Sequence, residues 1–176
     1  MTRPPLALSL GDPAGIGPEI TVKAWRALRD GGPAFMVVGD SLALESAPGG
    51  GGPVATVTGP EEAARVFPDA IPVLDLPLTT PVVAGQPSPA YAAAVIRWIE
   101  TGVGLALSGQ VGGLVTAPIA KAPLYAAGFG FPGHTEFLAE LTAASRHDGA
   151  RGPVMMLTAA DLRVALVTIH EPLAMV

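Results

Sequence analysis

The sequence contains no cysteine, which excludes disulfides and thiolate metal centres and leaves His, Asp and Glu as the strong metal ligands on offer. Charge is scarce, at 14% of residues, and no run of Lys or Arg offsets the formal net charge of −5. The electrostatic footprint that a phosphate backbone requires is therefore missing, and nucleic acid is not expected as a partner. The start, Met1 to Leu10, holds one Arg and a short, weakly apolar stretch, too little for a secretory core region. No later apolar run is expected to reach the length of a membrane span. These absences point to a soluble cytoplasmic protein, and the 49% hydrophobic content of the 176 residues supplies enough apolar material for one packed domain or a domain and a half.

Short apolar runs alternate with helix-like stretches and Gly/Pro punctuation, the pattern of βα units around a mainly parallel sheet. Strands are expected at Leu6–Leu10, Phe35–Val38, Val54–Val57, Ile71–Leu74, Gly113–Thr116, Val154–Leu157 and Val164–Ile169. Helices are expected at Pro18–Arg29, Pro60–Val66, Pro89–Leu107, Ile119–Ala126 and Glu136–Ser145. Three of these open with Pro, whose missing N–H has no intrahelical partner in the first turn. Residues Ala47–Pro53, with four consecutive glycines, read as a flexible connector, and Pro77–Pro89 as a second Pro-rich stretch. No internal repeat and no internal domain boundary is evident.

Four segments could carry chemistry. Gly11-Asp12-Pro13-Ala14-Gly15-Ile16-Gly17 is a glycine-rich turn between the first strand and the first helix. It lacks the third glycine of a dinucleotide fingerprint and the G-K-[ST] of a nucleotide-phosphate loop, so it reads as a tight turn that could also aim N–H groups at an anion. Lys121, after Thr116-Ala117-Pro118-Ile119-Ala120, falls in a first helical turn, where the macrodipole disfavours a cation by about 0.3–1 kcal/mol. A local rule broken at a strand's carboxyl end hints at function, with a solvated surface lysine as the equal alternative. Phe131-Pro132-Gly133-His134-Thr135-Glu136 presents His134 and Thr135 just before a helix that Thr135 could cap, beside free N–H groups suited to an anion. His170 follows the apolar run Val164–Ile169, at the end of a strand where ligands gather in open α/β sheets. One imidazole does not make a metal site, and His170-Glu171-Pro172-Leu173-Ala174 is not H-E-x-x-H. His147 reads as a solvated loop residue without a role.

Taken in this order, Leu8–Glu19, Thr116–Ile119 with Lys121, Phe131–Glu136 and Arg163–His170 followed by Pro172-Leu173 resemble the 4-hydroxythreonine-4-phosphate dehydrogenase family of vitamin B6 (pyridoxal phosphate) biosynthesis. The resemblance covers essentially the whole chain but only about the first half of a typical member. It implies an α/β/α sandwich of the isocitrate/isopropylmalate dehydrogenase-like type, here the N-terminal portion of a two-lobed homodimeric enzyme. It further implies oxidation and decarboxylation of a small phosphorylated hydroxy acid, 4-(phosphooxy)-L-threonine, with NAD or NADP and a divalent metal (Zn, Mg or Co). By the same resemblance His134 and Thr135 bind substrate, His170 is one of three metal histidines, and Asp12 and Lys121 lie near the site. Ala120 stands where the family motif usually has Asn. The remaining metal ligands, further substrate-binding basic residues and much of the cofactor site belong to the family's second half. Two alternatives follow: a 4-phospho-threonate or phospho-erythronate dehydrogenase of the same family, or a non-catalytic fragment that keeps a phosphate-binding or dimerising surface.

Overall fold

The computed structural model describes residues 4–146, 148, 152–169 and 172–175. It divides into two compact units, Met1–Gly130 and Phe131–Val176.

The first unit is built on five parallel strands: β1 (Leu6–Ser9), β2 (Phe35–Gly39), β3 (Val54–Thr56), β4 (Ile71–Asp75) and β5 (Leu114–Thr116), in the spatial order β3-β4-β2-β1-β5. Central β2 is buried along its whole length, which explains its continuous Phe-Met-Val-Val run: a strand covered on both faces has no polar side to alternate with. The connecting helices are α1 (Gly17–Leu28), α2 (Ser41–Glu45), α3 (Pro60–Val66) and α4 (Ala92–Leu107), the last entered through a 3-10 turn at Pro89–Tyr91; α5 (Lys121–Ala126) follows β5. In α1 the buried Gly17, Pro18, Thr21, Val22 and Trp25 recur at helical spacing and form its inward stripe. Residues Ala92, Val95, Trp98, Ile99, Gly102 and Val103 do the same for α4, which packs on β1, β2 and β5.

Both tryptophans are fully buried and satisfy their indole N–H on backbone carbonyls, Trp25 on Phe67 at 2.8 Å and Trp98 on Leu76 at 2.9 Å. This joins large apolar burial, worth about 1.5–3 kcal/mol for a fully buried large apolar side chain, to a fixed orientation. The helical stretch Pro89–Leu107 is long and apolar enough to cross a membrane by length and composition, which corrects the expectation that no run reaches that length. Its buried stripe against the sheet marks it as a core helix of this unit.

Two further expectations are corrected in this unit. The glycine run 49–52 is no loose connector: the Arg26 guanidinium donates to the Gly50 and Gly51 carbonyls at 3.1 and 3.2 Å, and Ile71 N–H donates to Pro53 at 2.8 Å. Helix α2, which the sequence reading passed over, is five residues long and exists because Asp40 caps it, its carboxylate accepting from Ala43 N–H at 2.8 Å.

The second unit holds α6 (His134–Thr142), the strands β6 (Met156–Ala159) and β7 (Leu162–Ala165), and a 3-10 turn at Leu173–Met175. The last two strands were expected to join the parallel sheet. They form a separate antiparallel hairpin instead, turning at Ala160-Asp161 with Ala160 in the left-handed region (φ 49°).

Candidate functional site

In a parallel sheet every strand ends on the same edge, so the loops after β1, β4 and β5 gather there. The chain leaves β1 toward β2 on one side, while β5 lies on the other, making the β1/β5 boundary the switch point where α/β folds commonly hold ligands. A small, open depression lies at that edge, lined by Asp12, Ser88, Tyr91, Ala92, Val95, Ala120, Pro123 and Leu124. Asp12 comes from the loop after β1, Ser88 from the Pro-rich stretch after β4, and Ala120 from the loop after β5.

The local sequence explains how these loops meet. Gly11 has φ +73°, and a Cβ there would run into the Pro118 carbonyl and lie 2.9 Å from the Ala117 carbonyl carbon. Only glycine permits both the left-handed backbone and this approach. The two loops are then joined by Asp12 N–H donating to the Pro118 carbonyl at 2.9 Å. Gly17 is required for a similar reason, since a Cβ would collide with the Leu10 carbonyl where α1 begins. The tight-turn reading of the glycine-rich segment is thereby accounted for by packing. Asp12 itself is 7% exposed, and its Oδ1 accepts from Ala14 N–H at 2.9 Å. Over the turn lies the Pro-rich stretch: Gly85 N–H donates to the Ala14 carbonyl at 2.7 Å, and Tyr91 hydroxyl donates to the Pro81 carbonyl at 3.0 Å.

Lys121 lies in the first turn of α5 as expected, though as its first residue, since the helix opens two residues after the expected Ile119, and it is exposed. It stands between the lining residues Ala120 and Pro123 without lining the depression itself. The other buried carboxylate at this edge, Asp40, is held structurally: besides capping α2 it accepts from Leu78 N–H at 2.7 Å. Ser88 and Tyr91 were not anticipated from the sequence. Their only local signal was the Ser-Pro pair at 88–89, with Ser88 Oγ accepting from Ala90 N–H at 3.3 Å to start the 3-10 turn.

In the second unit His134 and Thr135 are the first two residues of α6 and are half-buried. The helix begins two residues earlier than the expected Glu136: Gly133 occupies the capping position in an extended conformation, and no side chain caps the end. Thr135, being inside the helix, does not cap it, which corrects that expectation. Gly133 brings no side chain to this helix start, whose first turn carries His134, Thr135 and Glu136. The loop is braced on the helix by the Phe131 and Phe137 rings, 5.1 Å apart, much as a hydrophobic staple fixes chain entry. Among the described residues no group of three or more His, Asp or Glu could hold a metal ion. His170, the expected metal ligand, and His147 lie outside the described residues.

The profile of the family described as pyridoxal phosphate biosynthetic protein PdxA matches residues 33–176. A Caulobacter vibrioides protein named 4-hydroxythreonine-4-phosphate dehydrogenase is 71% identical over 174 residues, covering 99% of this chain and 52% of its own length. A Maricaulis maris protein of the same name is 53% identical, with 96% of this chain and 52% of the relative covered. The crystal structure of a Burkholderia phymatum 4-hydroxythreonine-4-phosphate dehydrogenase superposes with a TM-score of 0.79 at 32% identity, over 98% of this chain and 52% of that one. This chain thus spans about half the length of the relatives it matches, and it belongs to the PdxA family of pyridoxal phosphate biosynthetic proteins.

Proposed function

We propose that this chain supplies one half of a dehydrogenase that oxidises 4-(phosphooxy)-L-threonine, a small phosphorylated hydroxy acid, in vitamin B6 biosynthesis. The observation that carries this reading is the 71% identity, over 99% of the chain, to a relative named 4-hydroxythreonine-4-phosphate dehydrogenase. His134 and Thr135, in the first turn of α6, are assigned to the substrate, an imidazole and a hydroxyl being groups that hydrogen-bond an anionic ligand. Asp12 and Lys121 are assigned as neighbours of the site. The oxidant is taken to be NAD or NADP and the working form a cytoplasmic homodimer.

A divalent metal in this reading would stabilise charge developing on the substrate oxygen. The described residues do not provide a site for it. One histidine, His170, is proposed as this chain's contribution, and a single ligand holds such an ion weakly, since zinc sites use three or four. The chain by itself is therefore expected to be inactive.

One experiment tests these assignments together. The 176-residue chain is assayed alone and joined to the remaining half of the Caulobacter vibrioides relative, with 4-(phosphooxy)-L-threonine, NAD and divalent metal. Turnover is expected only in the joined protein. There, His134→Ala should weaken substrate binding by about 1.5–3 kcal/mol, the cost of a hydrogen bond to a charged group, and His170→Ala should lower metal content per folded subunit. Robust turnover by the chain alone would overturn the half-enzyme reading, and unchanged substrate affinity in the His134 variant would return that residue to a structural role.

A further inference from the structure

The β6–β7 hairpin pairs Met156 with Ala165, Leu157 with Val164, Thr158 with Arg163 and Ala159 with Leu162. Directly opposed residues share a face and successive residues alternate between faces. One face is therefore Leu157, Ala159, Leu162 and Val164, wholly apolar; the other carries Met156, Ala165 and the polar pair Thr158 and Arg163. That division belongs to a sheet buried on one side. The apolar face is nevertheless in water, with Leu157 58%, Leu162 63% and Val164 41% exposed.

None of the described residues of its own unit buries it. Among the described residues of Phe131–Val176, Phe137 is the only buried hydrophobic one, and a lone two-stranded hairpin is at best marginally stable in water. The first unit, by itself, carries a comparable mark: among the described residues β5 is the outermost strand on its side of the sheet, and Val115 at its middle is 44% exposed.

We propose that the Leu157-Ala159-Leu162-Val164 face is a docking surface for the half of the PdxA-family length that this chain does not span. The relatives match over nearly all of this chain yet are covered over only about half of theirs, so each holds a second stretch of similar size for which this chain has no counterpart. A second copy packed face to face through the same hairpin fits less well, because it would bring only the same four side chains, where a stable interface takes about 20–30 residues a side. The proposal rests on family membership and not on the dehydrogenase reading, so its test uses no activity.

The test compares this chain alone with a single polypeptide in which it is followed by the remaining half of the Caulobacter vibrioides relative. In the joined protein, amide exchange at 156–159 and 162–165 should slow at least about tenfold, a change of about 1.4 kcal/mol in the opening equilibrium. Leu162→Lys should lower the melting temperature of the joined protein and leave that of the chain alone unchanged, since the side chain is exposed there. Arg163→Ala, on the opposite face, should lower the joined protein's melting temperature much less. A joined protein that melts cooperatively with the hairpin still unprotected would overturn the proposal, as would equal effects of the two substitutions. Self-association of the chain alone that protects the same eight amides would overturn it in favour of a second copy.

Discussion

Gly11 shows how much one residue decides at the carboxyl edge of the sheet. Its left-handed backbone and its lack of a Cβ, which would collide with the Ala117-Pro118 backbone, let the loops after β1 and β5 share the Asp12 to Pro118 hydrogen bond. A Gly11→Ala substitution should cost about 2–4 kcal/mol, combining the left-handed penalty with overpacking against backbone that cannot move aside. The expected observation is a lower urea midpoint with an unchanged slope; an unaltered midpoint would mean that the loops part without cost. The presence of a turn at this place was legible from the glycines alone. That Gly11 and Gly17 serve chain packing was not, because the colliding atoms come from backbone far away in sequence or folded back on itself. Asp12 was likewise visible as a residue of interest, whereas Ser88 and Tyr91, its companions around the depression, sit in a stretch whose prolines advertise only a loop.

Helices follow the sequence where a cap or proline fixes the start and depart from it where the cap is not a side chain. For α3 the expected and observed spans coincide at Pro60–Val66. Its entry is secured by Glu62, which accepts from both the amide and the hydroxyl of Thr58. These bonds, the hydroxyl first, hold the Glu62 carboxyl below its ordinary range, with a smaller contribution from Arg65. Because the folded-state value is the depressed one, the associated stability is present above the ordinary glutamate range and is lost as pH falls through the folded value. Thr58→Ala should therefore move the Glu62 titration midpoint upward and flatten the acid side of the stability profile; a carbon-detected NMR titration measures the first directly, and an unmoved midpoint would refute the cause. For α6 the true start at His134 was hidden because its cap is Gly133, which has no side-chain acceptor to recognise. Helix α2 was missed for its brevity: five residues give no periodicity, and the one clue was the capping Asp40.

At the scale of the whole chain the two units differ in what holds them. Both tryptophans and nearly all the buried hydrophobic residues among those described belong to Met1–Gly130. Limited proteolysis is therefore expected to cut first within 152–169, where the strands are exposed, and to leave a fragment whose tryptophan-monitored unfolding transition matches that of the intact chain, as local openings of low cost precede global unfolding. A transition that shifts once the hairpin is cut would show that the first unit depends on the second. The sequence by itself determined the βα alternation, the parallel sheet of the first unit and the family, because apolar runs, Pro/Gly punctuation and short motifs are local and each is written in consecutive residues. Tertiary structure alone decided that the last two strands form a hairpin: Met156–Ala159 and Leu162–Ala165 are as apolar as strands of the main sheet, and an apolar run does not state which partner will bury it. It also decided which loops meet at the β1/β5 edge, since that follows from strand order, a property of long-range pairing that no single segment encodes.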